Sequence, residues 1–264
     1  MIALDYQWDW LDDYLIKRPW QKATGLTANS LPAAFRSKGL LGRDFFERAL
    51  GPLLTAKGLK AEATLLELQQ HTGVDVHMFC ADLNPRYPTK IDLSHSTHPD
   101  LPVVSAVQRS ASLPFIFKPV CCDGGCFVDG GLLNNFPLQD CVDRKDCDPD
   151  EILAVRNVWR RKHVGIDDST HIFDYVLAIL RRFHYTVCTE HSQPAVKHRV
   201  DCVIYNVDTL EEWVEPFSVE SARANWVAYG AGQADVYLAQ RSGDKICNDD
   251  DGASTACPAP QSTC

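Results

Sequence analysis

The sequence predicts an α/β fold in which a mostly parallel sheet is covered by helices on both faces. Three observations predict it. Helical and extended segments alternate along the chain, as they do where strands are joined by crossover helices. Residues 74–81 read as a strand apolar on both sides, which suits burial between two helical layers. Hydrophobic residues make up 45% and charged residues 23% of 264 positions, enough for a sizeable core and too apolar for a mostly disordered chain.

The elements follow in order. Met1-Ile2-Ala3-Leu4 is apolar with no cap ahead of it, so the chain opens as though inside a helix, until Asp5-Tyr6 breaks the run. Residues 8–17 form a helix with Leu11, Tyr14 and Leu15 on one face, stopped at Arg18-Pro19. Asp44 is expected to cap a helix over 45–56, where Phe45, Phe46, Ala49, Leu50, Leu53 and Leu54 keep helical spacing. Thr64 and Glu67 make a capping box whose short helix ends at Gly73. After the strand at 74–81, Asp100-Leu101-Pro102 opens a helix running to residue 110, with Asp100 as cap and Pro102 as first helical residue. Residues 115–122 and 126–128 are two strands joined at Asp123-Gly124-Gly125, a strong hairpin turn signal. A strand at 152–159 follows. Asp168-Ser169 then leads into the longest helix, with Ile172, Val176, Leu180, Phe183 and Val187 on its buried face. Residues 200–207 form the last strand, and Ser218 caps a helix to residue 240. Beyond it, a tail rich in Asp, Ser, Thr, Pro and Gln (241–264) is expected to be disordered.

Several functions are excluded by charge and pattern. A net charge of −9 argues against a nucleic-acid partner. The basic cluster Arg160-Arg161-Lys162 reads as a solvated loop or as a contact for lipid headgroups. The longest apolar stretches are too short to span a bilayer, so no transmembrane segment is expected, and no secretory signal is visible. A cytoplasmic or membrane-peripheral protein, not a secreted one, is the resulting expectation. Eleven cysteines, an odd count, are then free thiols in a reducing compartment. Cys121, Cys122 and Cys126 lie close together but lack the second pair or histidine that a zinc site requires, so no metal is expected.

The chemistry concentrates in Phe127-Val128-Asp129-Gly130-Gly131-Leu132-Leu133-Asn134-Asn135-Phe136-Pro137-Leu138. An aspartate at a strand end followed by two glycines presents a carboxylate on a tight turn, open to a proton from a nearby hydroxyl. Taken alone, the same triplet could merely make a turn, as Asp123-Gly124-Gly125 does a few residues earlier. The context favours chemistry. The run from Val103 through Arg109, Ser110, Ala111, Ser112, Leu113 and Pro114 to Val120, followed by Val128-Asp129-Gly130-Gly131-Leu132-Leu133-Asn134-Asn135, closely resembles the patatin-like phospholipase family. Lys17-Arg18-Pro19-Trp20, Gly73-Val74-Asp75-Val76, Cys80-Ala81-Asp82-Leu83-Asn84 and His98-Pro99-Asp100-Leu101-Pro102-Val103 extend the resemblance over roughly residues 4–240.

The resemblance implies a three-layer α/β/α fold and hydrolysis of phospholipids or other acyl lipids by a Ser-Asp dyad. The residues themselves imply neither calcium nor an organic cofactor. Asp129 takes the dyad position, with Gly130 and Gly131 as the motif backbone; Asp123 does not, because the leucines, asparagines and proline follow Asp129. It also exposes a departure. The family's nucleophile sits in a G-x-S-x-G elbow beside a glycine-rich oxyanion loop, and this sequence contains neither. The resemblance therefore makes residues 1–240 a partial patatin-like domain missing its first strands, with the elbow expected immediately before residue 1. Ser105, Ser110 and Ser112 lie on a helix and its exit, where solvent-facing or capping roles are expected. His95, His98, His184 and His191 qualify as acid–base groups by residue type only.

Three readings of function remain open on the sequence. The chain is a truncated acyl hydrolase, inactive by itself; or a non-catalytic lipid- or protein-binding domain; or one half of a split enzyme completed by another polypeptide. In the hydrolase reading the acyl chain is expected in an apolar cleft near Phe45, Leu50 and Phe115.

Overall fold

The computed structural model describes residues 1–25, 34, 36–144, 148–160, 165–172, 174–176, 178–180, 182, 193–205 and 210–242. The mixed α/β class is present as expected. The chain divides into two compact units, Met1–Leu11 with Pro19–Asn135, and Asp12–Arg18 with Phe136–Cys264.

The first unit opens with a 3-10 turn, Ile2–Leu4, closed by Asp5 in the left-handed conformation at φ 48°. Helix α1 (Trp8–Lys17) begins in this unit and buries Leu11 there; α2 (Trp20–Thr24) follows. Helix α3 spans Arg43–Ala56 and buries Phe45, Phe46, Ala49, Leu53 and Leu54, the face its spacing predicts. Its cap is Gly42 rather than Asp44. The helix starts two residues early, with the Phe45 amide donating to the Gly42 carbonyl at 3.0 Å, leaving Asp44 in the first turn, where a carboxylate meets the positive end of the helix dipole. Helix α4 (Leu65–Thr72) has the full capping box: Thr64 accepts from the Glu67 amide and the Glu67 side chain accepts from the Thr64 amide. Gly73 ends it at φ 71°. Helix α5 is Val103–Ser110, so neither Asp100 nor an N1 proline starts it. Pro102 occupies the cap position, and the Val103 amide donates to the Ala63 carbonyl at 2.8 Å, so a backbone acceptor does the work expected of Asp100.

Strand β1 (Gly39–Leu41) pairs in parallel with β4 (Phe115–Phe117). Strands β2 (Met78–Asp82), β3 (Thr89–Leu93), β5 (Val120–Cys122) and β6 (Gly125–Asp129) form a four-stranded antiparallel sheet in the order β3-β2-β6-β5. Parallel pairing is thus confined, among the described residues, to two-stranded sheets. The antiparallel geometry follows from short connections: β2 to β3 and β5 to β6 lack the dozen or more residues a parallel crossover requires. The predicted strand at 74–81 begins only at Met78, where the partner Leu93 begins the β3 ladder. Helix α5 packs on β2 and β6 and against α3. Between them lies the core of Leu53, Leu54, Cys80, Ala81, Leu93, Val104 and Ala106, each at most 2% exposed. Phe45 is buried there, with Trp20, Phe46 and Phe117 around its ring.

In the second unit, β7 (Leu153–Arg160) and β8 (His198–Tyr205) run parallel in full register. Leu138, from α6 (Leu138–Val142), joins Ile152 and Ala154 in a small core with Phe136 and Val196. A separate helix α7 (Leu210–Ser218) precedes α8 (Glu220–Ser242), so Ser218 ends a helix instead of capping the last one. Arg223 of α8 explains the sharp break. Its guanidinium donates to the carbonyls of Ile16, Pro216 and Arg18, the orphan acceptors at the ends of α1 and α7. At 23 residues α8 is the longest helix described. The segment predicted to be longest is helical at residues 172, 174–176, 178–180 and 182, but Ile172 is 64% exposed and lies on no buried face. Phe183, Val187, Arg161, Lys162 and the tail from residue 243 lie outside the described residues.

Candidate active site

Strand β6 is held on both edges before it reaches Asp129. Asp123 and Gly124 form its hairpin turn, both at positive φ (51° and 77°), the geometry of a two-residue loop that matches strand twist. Asp123 is therefore a turn residue. On the other edge, Asp82 of β2 accepts from the Cys126 amide at 2.9 Å and from the Asn84 amide at 3.0 Å, while Asn84 donates to the Gly124 carbonyl at 2.6 Å. This polar clasp ties the hairpin to the sheet.

Asp129 is the last residue of β6, opposite Cys80 in the ladder, and its amide donates to the Ser112 carbonyl at 3.1 Å. It caps a 3-10 turn, Gly130–Leu132: Oδ1 accepts from the Gly131 amide at 2.7 Å. Gly130 is buried, and a Cβ placed on it would lie 2.4 Å from the Phe79 carbonyl oxygen. A Cβ on Gly131 would lie 2.9 Å from Asn135 Oδ1 and 3.0 Å from Asp129 Oδ1. Both glycines keep negative φ, so close approach and not unusual backbone torsion demands them. The result is a half-buried carboxylate, fixed in orientation, at the end of a central strand.

Other nucleophile candidates are placed elsewhere. Ser105 and Ser112 are buried, not solvent-facing. Ser105 Oγ accepts from Arg43 at 2.7 Å, and the fully buried Ser112 hydroxyl lies 2.6 Å from the Gln108 carbonyl oxygen and 3.1 Å from that of Lys118. The first of these joins α3 to α5; the second closes the exit of α5 onto Lys118. Cys80 faces Asp129 in register, but burial pushes its thiol up to about 11, against the pull of Arg109 and with the push of Asp82, so it stays a neutral thiol. Arg109 lies 4.5 Å over the Phe127 ring and donates to Cys122 Sγ at 3.2 Å, packing β5 and β6 against α5.

Of the predicted histidines, His95 Nδ1 lies 3.0 Å from Asp75 and His98 Nδ1 3.0 Å from Thr97; His184 and His191 lie outside the described residues. Sequence reasoning missed His77. Its Nδ1 lies 2.9 Å from both oxygens of Asp92, and its Nε2 3.0 Å from Asp75. Asp75 and His77 are two residues apart, and the pairing of β2 with β3 brings Asp92 beside them, a long-range contact that spacing along the chain does not signal. No group of His, Cys, Asp or Glu able to hold a metal ion occurs among the described residues. Among those residues no helix is long and apolar enough to cross a membrane.

The model of the patatin-like phospholipase family matches residues 3–142, more than half of the chain, from the first turn through the Asp129 segment to α6. The chain is also similar to "Probable lipid hydrolase 463L" of Invertebrate iridescent virus 6, with 36% identity over 49 residues. That match covers 19% of the chain and spans 17% of the viral protein's length. With the Asp-Gly-Gly turn, the α5 approach and the family match coinciding on one stretch of sequence, the chain belongs to the patatin-like phospholipase family.

Proposed function

We propose that this chain supplies the carboxylate half of a Ser-Asp dyad in a lipid acyl hydrolase that cleaves esters of phospholipids or other acyl lipids at a membrane surface. The observation that carries the reading is the Asp129 turn. A carboxylate at the end of a packed strand is oriented by the Gly131 amide, behind a glycine that fits against the Phe79 carbonyl. In the reaction a serine hydroxyl attacks the ester carbonyl, Asp129 accepts its proton, and water later releases the acyl group from the serine. No G-x-S-x-G elbow occurs in the 264 residues, so the serine and the donors for the tetrahedral oxyanion come from a segment outside this sequence. Alone, these residues hold a base without its nucleophile and are inactive. The family match supports the lipid substrate, and the chain's own residues call for no cofactor.

The absence of that elbow also favours a second reading, a non-catalytic domain that binds lipid or protein. One experiment separates the two. The protein is taken from its natural source, labelled with a fluorophosphonate, and weighed intact. The hydrolase reading expects a single adduct on a serine outside these residues, on a species heavier than 29.5 kDa, and loss of labelling in Asp129→Ala. Labelling that survives Asp129→Ala would sink the dyad assignment. A protein of this mass with no adduct would replace hydrolysis by binding.

A further inference from the structure

Cys121 of β5 and Cys126 of β6 are direct partners across the hairpin. Antiparallel partners alternate between hydrogen-bonded pairs and non-hydrogen-bonded pairs, and the latter bring their Cα atoms to about 4.5 Å. The Cys121–Cys126 pair is of the second kind. The Cys126 amide donates to Asp82 and its carbonyl accepts from Leu83, so both backbone groups point away from β5. The two side chains therefore share one face at the closer spacing, within the range a disulfide spans. Their sulfurs are 3.3 Å apart. Cys121 is exposed, and Cys126 is half-buried. Cys122 belongs to the other face, where its sulfur accepts from Arg109.

We propose that Cys121 and Cys126 are a redox-responsive dithiol that closes to a disulfide when the protein meets an oxidised low-molecular-weight thiol such as glutathione disulfide. The steps balance. The exposed Cys121 thiolate attacks the glutathione disulfide, forming a mixed disulfide and expelling one glutathione thiolate. Cys126 loses its proton and attacks the Cys121 sulfur, expelling the second. Two protein thiols lose two protons and two electrons, and the oxidant becomes two glutathione molecules. Burial, with the Cys121 sulfur hydrogen-bonded beside it, pushes the Cys126 thiol up to about 11, which assigns it the resolving role, where proximity offsets a small thiolate fraction. Closure cross-links the strand that ends in Asp129, and the chemistry stands whether or not the hydrolase reading holds.

The test uses the full reduced chain, incubated with glutathione disulfide, alkylated and digested with chymotrypsin. Residues 118–127 contain Cys121, Cys122 and Cys126 and no other cysteine. The expected product is this peptide with two hydrogens lost, one alkylated thiol at Cys122, and no backbone fragment ions between Cys121 and Cys126. Dithiothreitol restores three alkylatable thiols. Cys121→Ser and Cys126→Ser each prevent closure, while Cys122→Ser leaves it intact. A glutathione adduct persisting on Cys121 with Cys126 still alkylatable would overturn the proposal, as would a disulfide through Cys122 or an unchanged peptide.

Discussion

Gly130 and Asp129 sit side by side, yet different forces hold them. The Cβ of an alanine at 130 would stand 2.4 Å from the Phe79 carbonyl oxygen, a backbone atom of the neighbouring strand that cannot turn aside. Gly130→Ala is expected to cost roughly 1–3 kcal/mol, the usual penalty of forcing extra volume into a packed interior, seen as a lowered urea midpoint. Gly131→Ala is expected to cost less, because one close atom is the Asn135 side-chain amide, which can rotate. Asp129 was legible in the sequence as a strand-end carboxylate before two glycines, and the following leucines and asparagines separated it from Asp123. The reason for Gly130 was not legible, because it lies at Phe79, in a strand far away in the sequence. The buried serines show the same limit. Ser105 and Ser112 look like surface or capping groups until Arg43 and the Lys118 carbonyl arrive from elsewhere in the chain.

Elements whose signals are local were legible, and those defined by a partner were not. The Thr64–Glu67 capping box spans three residues and folds as read. Thr64→Ala is expected to destabilise the first unit by about 1 kcal/mol, measured by chemical denaturation. The Asp123-Gly124 turn was equally local. By contrast, β3 has no strong pattern in Thr89-Lys90-Ile91-Asp92-Leu93 and exists because β2 pairs with it. The caps at Asp44 and Asp100 gave way to backbone acceptors at Gly42 and Ala63. In the second unit, Asp201 on β8 is the register partner of Arg156 on β7 and lies near Arg199. Partial burial alone would raise its pKa, but hydrogen bonds and charge from Arg199 and Arg156 outweigh this and hold the carboxyl below its ordinary value. A depressed folded pKa gives stability that is present above the unfolded value of about 3.9 and is lost as pH falls through the folded one. Asp201→Asn is therefore expected to flatten the acid limb of the stability curve below pH about 4. Urea midpoints across that range would show it, and an unchanged limb would place the acid sensitivity elsewhere.

At the scale of the whole chain, composition and alternation fixed the mixed class but not the direction of pairing. Connection length decides that direction: the Asp123-Gly124 turn announced the β5–β6 hairpin, but nothing in the alternation announced the short antiparallel return from β2 to β3. Net charge has its own consequence for the proposed action on lipid. At −9, the chain is expected to bind phosphatidylcholine vesicles better than vesicles rich in phosphatidylserine at low ionic strength. The gap should narrow above about 0.15 M salt as charge is screened. Vesicle co-sedimentation checks it, and stronger binding to the anionic vesicles would point to a local basic surface that overrides net charge. The close fit of Gly130 under the Phe79 carbonyl also bears on how such a domain drifts over generations. A population screened only for protein abundance would reject substitutions at 130 while passing Asn or Ser at 129, since either can still accept from the Gly131 amide. Descendants no longer selected for the proposed dyad would therefore shed the acid long before the glycine beside it, and a Gly-Gly turn without its aspartate would be its fossil.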